Sequence, residues 1–354
     1  MARIYSNLKF LRQVAHIEAL RTGTVVPPVH IRIKPMNYCN HNCWYCAYRV
    51  DNLQLGEDMD VTDRLPEEKM VELVEDIISM GVQAVTFSGG GEPLLYKSLP
   101  THVRRLAEGG VKVASLTNGA NLKGRMAEAF AECGTWVRVS LDAWDDESYA
   151  KQRGVKVGEF SQLLENLKNF AAMKSDCVLG TSFIVGHDNH THLADVCAML
   201  KDAGVNHVKV AGAIISNEVE ENNLYHRKII DEVSAQIEQA QKLDDDGFSV
   251  INHYHEIEER FTKTYNTCPF LMFLTVVGAD QMVYTCQDKA FTELGTLGSI
   301  KDRSFKDFWM SEENRQQLFS FDPSKNCQHH CVAHAKNLVL SDFLTIDSGH
   351  IEFV

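Results

Sequence analysis

The chain has 354 residues, 44% apolar and 23% charged, a balance that supports a sizeable buried core and excludes wholesale disorder. Asp and Glu outnumber Lys and Arg by 48 to 35, a formal charge of −13, which repels a phosphate backbone unless a local basic patch intervenes. No run of five basic residues is present and no stretch approaches 18 consecutive apolar residues, so neither a polynucleotide substrate nor a membrane span is expected.

Residues 1–20 place Leu8, Leu11, Val14 and Ala15 at helical spacing, with Arg3, Lys9, Arg12 and Glu18 between them. That pattern predicts an amphipathic helix rather than a signal peptide, and with it a cytoplasmic location. Thiols stay reduced there, so the ten cysteines need an explanation other than disulfides. After a predicted strand at 29–34 comes NYCNHNCWYCAYR, with Cys39, Cys43 and Cys46 spaced C-x3-C-x2-C. Three thiolates can occupy three corners of a four-iron cube and leave one iron open, as a catalytic site requires. The alternative, zinc, wants four ligands, usually from paired C-x-x-C knuckles, and His41 is hard to recruit because its neighbours fix the loop. Ferredoxin spacing is absent.

A helix is predicted at 66–80, with Met70, Leu73, Val74 and Ile77 on one face. The strand at 83–87 runs into Gly89-Gly90-Gly91-Glu92-Pro93. Then follow a helix at 99–108, a strand at 111–116 ending in Thr117-Asn118-Gly119, and a helix at 124–133. A strand at 136–141 ends at Asp142, a helix spans 160–173, and a strand at 178–185 ends at Gly186. A helix at 192–203 and a strand at 207–211 complete the series. Six βα repeats imply a parallel sheet with right-handed crossovers. Six strands are too few to close an eight-stranded barrel, so an open, curved partial barrel is expected. The motifs fall at carboxyl ends of strands, where parallel barrels gather their chemistry. A long polar helix at 222–243, a break at 244–247 and a strand at 248–252 read as a bridge to a second domain. Beyond it, two short strands joined by a polar turn are expected to bring Cys268 near Cys286, and Cys327 and Cys331 follow. Cys133, Cys177 and Cys197 are isolated and read as small buried apolar residues.

Cys39, Cys43 and Cys46, with aromatic Tyr45 before the last, resemble the signature of the radical S-adenosylmethionine (SAM) enzymes. The glycine run resembles that family's GGEP element. The resemblance implies an α/β fold: a partial (β/α)6 barrel at 29–212, an N-terminal helix within 1–28, a bridge at 213–260 and a smaller SPASM/twitch-like domain at 261–354. It implies a [4Fe-4S] cluster on the three early cysteines, with SAM chelated through its amino and carboxylate groups. Gly89, Gly90 and Gly91 would let backbone approach SAM, and Glu92 would accept from its ammonium group. Asn118 and Ser140 are candidates for the SAM carboxylate or ribose hydroxyls. Arg153, in DAWDDESYAKQRG, is a candidate partner of the carboxylate, the alternative being a solvated loop residue. Val185, with Ile184 and Gly186, is a candidate adenine contact, although an apolar strand end would look the same. The late cysteines resemble the SPASM and twitch extensions, which implies one auxiliary [4Fe-4S] cluster on Cys268, Cys286, Cys327 and Cys331. The alternative is zinc, with His329, His330 or His334 replacing a cysteine.

The resemblance further implies reductive cleavage of SAM and abstraction of a substrate hydrogen atom by the 5′-deoxyadenosyl radical. An external electron donor such as flavodoxin or ferredoxin is the expected partner. A second cluster with four thiolates has no open iron, so it is expected to accept an electron in a two-electron oxidation, such as alcohol to ketone. Only 38 residues precede Cys39, too few for the leader-binding domain of peptide-modifying relatives. A small polar molecule (a sugar, aminocyclitol or activated sugar) is therefore the expected substrate. The alternatives are sulfatase-type peptide maturation, redox-neutral epimerisation and, from another class, a non-catalytic iron–sulfur scaffold or electron carrier.

Overall fold

Strands β1 (His30–Ile33), β2 (Ala84–Phe87), β3 (Lys112–Thr117), β4 (Gly134–Ser140), β5 (Val178–Val185), β6 (His207–Gly212) and β7 (Ser249–Asn252) lie side by side and parallel. They belong to a computed structural model that describes residues 5–49, 56–254, 261–347, 349–351 and 353. Residues 1–4 of the predicted N-terminal helix and 255–260 of the predicted bridge lie outside the described residues. The sheet is open, with β7 at one edge. On its helical face pack α2 (Glu67–Met80), α3 (Leu99–Glu108), α4 (Gly124–Cys133), α6 (Glu159–Ala172) and α7 (Leu193–Asp202), preceded in the chain by α1 (Val14–Thr22), with α5 (Asp146–Arg153) between β4 and α6. Strand and helix residues share one apolar core; Ile31, Ile33, Val85 and Phe87 lie in it with Met70, Leu73, Val74 and Ile77 of α2. No helix among the described residues is long and apolar enough to cross a membrane.

Three segments differ from their predicted form. The N-terminal segment is a short 3-10 turn (Lys9–Arg12) followed by α1, with a break at Gln13. Leu8, Leu11 and Val14 are exposed, whereas Phe10, His16 and Ala19 are buried. The break decides this, because it turns Phe10 and His16 onto the ring of Phe273, at centroid distances of 5.9 and 5.3 Å. The helix predicted at 222–243 is two helices, α8 (Val219–Arg227) and α9 (Ile230–Gln241). The first is pinned through His226 to Tyr254 Oη and the Ala213 carbonyl, while the second lies along α7, and the chain turns between them to serve both. The strand predicted at 248–252 extends the barrel sheet as β7.

The C-terminal residues join the opposite edge of the same sheet. Strand β8 (Leu274–Val277) pairs parallel with β1, and β9 (Met282–Tyr284) and β10 (Thr296–Ser299) follow antiparallel. Helices α10 (Phe305–Trp309), α11 (Glu312–Ser320), α12 (Pro323–Asn326) and α13 (His334–Leu344) complete the chain. Trp309 is fully buried and its indole N–H donates to the Val26 carbonyl at 2.8 Å, tying this extension to the N-terminal segment.

The inner face of the sheet is polar. Side chains alternate along a strand, so His30 and Arg32 oppose the core residues Ile31 and Ile33, and the His30 ring meets Thr86 Oγ1 at 2.9 Å. Burial, then Arg32, pushes His30 down to about 3. Burial, then Arg138 and Lys209, pushes His207 down to about 4. Both rings are neutral in the fold, so as pH falls below about 6.5 the unfolded chain takes up protons that the native protein does not. The urea midpoint is expected to decline as the pH falls from about 6.5 towards 4.5. A His30→Gln/His207→Gln protein should show a shallower decline, by up to two protons.

Candidate functional site

The cysteine loop has no helix or strand of its own; its neighbours hold it. From the glycine run, Gly91 N–H donates to the Met36 carbonyl at 3.2 Å and Glu92 N–H to that of Tyr38 at 3.0 Å. A side chain on Gly91 would meet the Tyr38 carbonyl oxygen at 2.0 Å, so the approach requires glycine. On the other flank, Asn42 N–H donates to the Arg153 carbonyl at 2.7 Å and Trp44 N–H to that of Gln152 at 3.4 Å. Those are end carbonyls of α5, which have no partner within the helix. The helix itself begins with a capping box from Asp145 and Ser148 and ends on Gly154 at φ 61°. A third tie comes from β3, where Asn118 Nδ2 donates to Asn40 Oδ1 at 2.9 Å and approaches Cys39 Sγ at 3.9 Å.

These contacts gather most of the residues singled out in the sequence. Glu92 is buried; Oε1 accepts from Leu94 N–H at 2.9 Å and Thr117 Oγ1 at 2.7 Å, and Oε2 from Asn118 N–H at 2.7 Å. Its carboxylate thus locks the glycine run to the end of β3. Burial raises its pKa and those three donors oppose the rise. Arg153 is no solvated residue: its side chain is 3% exposed and donates to Asp142 Oδ1 through Nε at 3.1 Å and Nη2 at 2.5 Å. Its Nη1 lies 3.5 Å from Cys43 Sγ, and the guanidinium rests over the rings of Tyr45 and Tyr149. Ser140 ends β4, partly exposed on the inner face. Val185 requires a correction, because its side chain is fully buried in the helix-side core. The strand alternation turns the partly exposed Ile184 to the interior instead. His41 is turned towards Glu159 and Tyr149, away from the thiols.

The four late cysteines come from separate segments and lie within electrostatic range of one another, although among the described residues no three Cys, His, Asp or Glu side chains stand close enough together to hold a metal ion. Burial raises the Cys286 and Cys268 thiols, and Cys327 and Cys331 add to both shifts. Burial, then Cys331, pushes Cys327 up to about 12. Cys268 Sγ accepts from Asn337 Nδ2 at 3.2 Å. Lys263 and Lys289 act on Cys327 in the opposite sense. His330 lies edge-on to Phe261 and His334 bonds to Tyr265 at 3.2 Å. None of the ten cysteines forms a disulfide. Cys177 and Cys197 are buried, whereas Cys133, at the end of α4, is half-buried.

A residue that sequence reading passed over stands between the two cysteine groups. Lys34 is 1% exposed, and its ammonium donates to Tyr48 Oη and to the Gly89 carbonyl, each at 2.7 Å. Tyr48 donates in turn to the Gln287 carbonyl at 3.0 Å, next to Cys286. Burial, then Arg32, pushes Lys34 down to about 7, while Asp288, Cys46 and Cys286 act the other way. The signal was available in the string HIRIK, where basic residues alternate with isoleucines and so share one face of a strand.

Residues 33–194 match the radical SAM superfamily. A GTP 3′,8-cyclase of Xanthomonas campestris pv. campestris (strain 8004) is 32% identical over 157 residues, 42% of this chain. The chain thus spans only 45% of the length of that relative. An Fe-coproporphyrin III synthase of Methanosarcina barkeri is 25% identical over 342 residues, 88% of this chain and 80% of that protein. Among solved structures, Streptococcus suis SuiB bound to S-adenosylmethionine superposes with a TM-score of 0.64 at 15% identity, over 94% of this chain and 80% of that one. The enzyme anSMEcpe with bound AdoMet gives 0.59 at 18% identity, over 86% and 90%. The fold is theirs: an open radical SAM barrel with a C-terminal extension.

Replacing Arg153 with Ala leaves Asp142 as a buried, unpaired carboxylate, which typically costs about 3–5 kcal/mol. It also frees one flank of Cys43. Arg153→Ala protein is expected to lose iron from the early cysteines and to bind SAM weakly, with Arg153→Lys intermediate because a lysine cannot make the forked contact. Iron content and SAM titration check this. Unchanged values for both would remove Arg153 from the site.

Proposed function

On the premise that residues 33–194 are a radical SAM domain, we propose that this protein cleaves SAM reductively and oxidises a small polar substrate by two electrons. The observation that carries the second half is that Cys268, Cys286, Cys327 and Cys331, from separate segments, lie within electrostatic range: Cys327 and Cys331 raise the cost of ionising Cys268 and Cys286, and Cys331 that of Cys327. Four such thiolates are stable together only around a compensating cationic centre. The donor set therefore fits an iron–sulfur cluster there and leaves it no open position for substrate. Cys39, Cys43 and Cys46 supply three ligands and fit a [4Fe-4S] cluster with one open iron.

Bound at the early cysteines, such a cluster supplies the electron that breaks the sulfonium bond of SAM and releases the 5′-deoxyadenosyl radical. The chain's own residues fix the geometry around that event. Glu92 and Asn118 hold the cysteine loop against the glycine run, and Arg153 braces Cys43 from α5. Ser140 and Ile184 line the inner face beside them. The barrel wall keeps water from the reacting carbon. Oxidation of an alcohol carbon to a ketone removes two electrons and two protons, one electron and one proton leaving with the hydrogen atom that the radical takes; Cys268, Cys286, Cys327 and Cys331 would hold the cluster that could accept the second electron.

Anaerobically prepared protein should hold about eight irons per chain, two four-iron clusters. A Cys39→Ala/Cys43→Ala/Cys46→Ala protein should keep about half of them. Zinc in that variant, without a cluster spectrum, would replace the second cluster with a zinc site.

Cys331→Ala separates the two halves of the reaction, provided spectroscopy confirms the first cluster. 5′-Deoxyadenosine should still form, and oxidised product should not. Undiminished oxidation with the late site empty would make that site structural and favour a redox-neutral outcome.

A further inference from the structure

A second group of charges lies beneath the cysteine loop, on the inner face of the barrel. On β1, Arg32 sits between the core residues Ile31 and Ile33, two residues before Lys34 and therefore about 6.5 Å deeper. From β4 comes Arg138, again between two core residues, Val137 and Val139. Lys209, on β6, faces the same way, between the buried Val208 and Val210. The group is close enough to interact: Arg138 opposes the charge of Arg32, and burial, then Arg138 and Lys209, depress His207. Arg138 Nη1 donates to Tyr5 Oη at 3.0 Å, and that hydroxyl meets His207 Nε2 at 3.0 Å. The N-terminal segment thus props this side chain from below.

Arg32 has no such prop. No hydrogen bond or ion pair reaches its guanidinium among the described residues, and its Nε is sealed from solvent without a partner, as is the Nε of Arg138. The carboxylate acting on Arg32 is Asp288, which stands beyond ion-pair distance. A guanidinium nitrogen sealed from solvent without a partner is costly. The thiolates have other cations of their own: Arg153, Arg49 and Lys34 at the early group, and Lys263, Lys289 and Lys336 at the late one. Arg32 also feels the Cys286 thiolate, after Asp288. A chain of formal charge −13 thus encloses a positive well.

We propose that Arg32 and Arg138, with Lys209 beside them, bind an anionic group of the substrate, a phosphate or a carboxylate, at the base of the barrel beneath the SAM-cleaving site. The assignment rests on the proposed function for the identity of that substrate as the molecule oxidised. Two guanidinium groups offer the forked, charge-assisted contacts that such oxyanions take. Seating the anion low directs the rest of the molecule up towards the cysteine loop, and the acidic exterior with a basic interior draws the ligand inwards rather than onto the surface.

The test uses the anaerobic holoenzyme without reductant, so that no SAM is cleaved. Methyl phosphate and succinate are titrated separately by calorimetry, and the melting temperature is followed with each. Saturable binding of either anion, weakened by added salt, is expected; methyl phosphate alone marks a phosphorylated substrate, and succinate alone a carboxylic acid. Arg32→Met and Arg138→Met should each weaken binding about tenfold or more, while melting no lower than the parent in the absence of anion. Should a Met variant fail to fold, Arg32→Lys and Arg138→Lys keep the charge and should bind several-fold more weakly. No saturable binding of either anion, or undiminished binding by the variants, overturns the proposal. The radical chemistry is read separately, from 5′-deoxyadenosine formation in the reduced enzyme, and stands or falls on that measurement alone.

Discussion

The structure depends on how a stretch of irregular backbone is held still. The cysteine loop makes no ladder and no helical turn, so its amides and carbonyls must find partners elsewhere or lose them to burial. They find them on the carbonyl end of α5 and the amides of the glycine run. Each support is itself fixed. The capping box starts α5 in a defined place, and Glu92 ties the glycine run to β3 through three donors. Three thiols are thereby positioned by elements that lie roughly 50 to 110 residues further along the sequence, before any metal is considered.

Burial of charge follows from the same enclosure. A parallel barrel directs alternate side chains inwards, and here many of them are basic. Lys34 is held by a carbonyl and a phenol in place of a carboxylate. Burying it lowers its affinity for protons, and the thiols above and beside it partly restore that affinity. The late cysteines show the converse. Their thiols are driven up by burial and by each other, and the neighbouring lysines only partly offset this. Cationic walls and mutually repelling thiols are two responses to one low-dielectric interior.

The C-terminal extension is bound into the barrel rather than appended to it. Its first strand pairs with β1 along the whole of that strand, from His30 beside Leu274 to Ile33 beside Val277. Trp309 fastens its helical part to the N-terminal segment. Next to Cys286, the Gln287 carbonyl accepts from Tyr48, and the charge of Asp288 acts on Arg32 from beyond ion-pair distance. The strand that carries Arg32 and leads to Cys39 thus has the late cysteines' hairpin as its lateral neighbour, which gives the two groups a shared wall.

Period and punctuation in the sequence determined the six βα repeats, the parallel open sheet and the placing of motifs at strand ends, because these depend on local alternation and on glycine at defined positions. They also determined the two groups of cysteines. Other features depend on which distant groups meet. Leu8, Leu11 and Val14 form a regular apolar stripe, yet Phe10 and His16 are buried, because Phe273 lies some 260 residues away in sequence and waits on that side. Val185 and Ile184 are equally apolar, and only the pleat of a paired strand says which one faces the interior. Arg153 reads alike as a surface residue or an anchor until Asp142 is found beside it. Tertiary structure alone decided these points, since burial and charge pairing are properties of the neighbours that folding supplies and not of the residue itself.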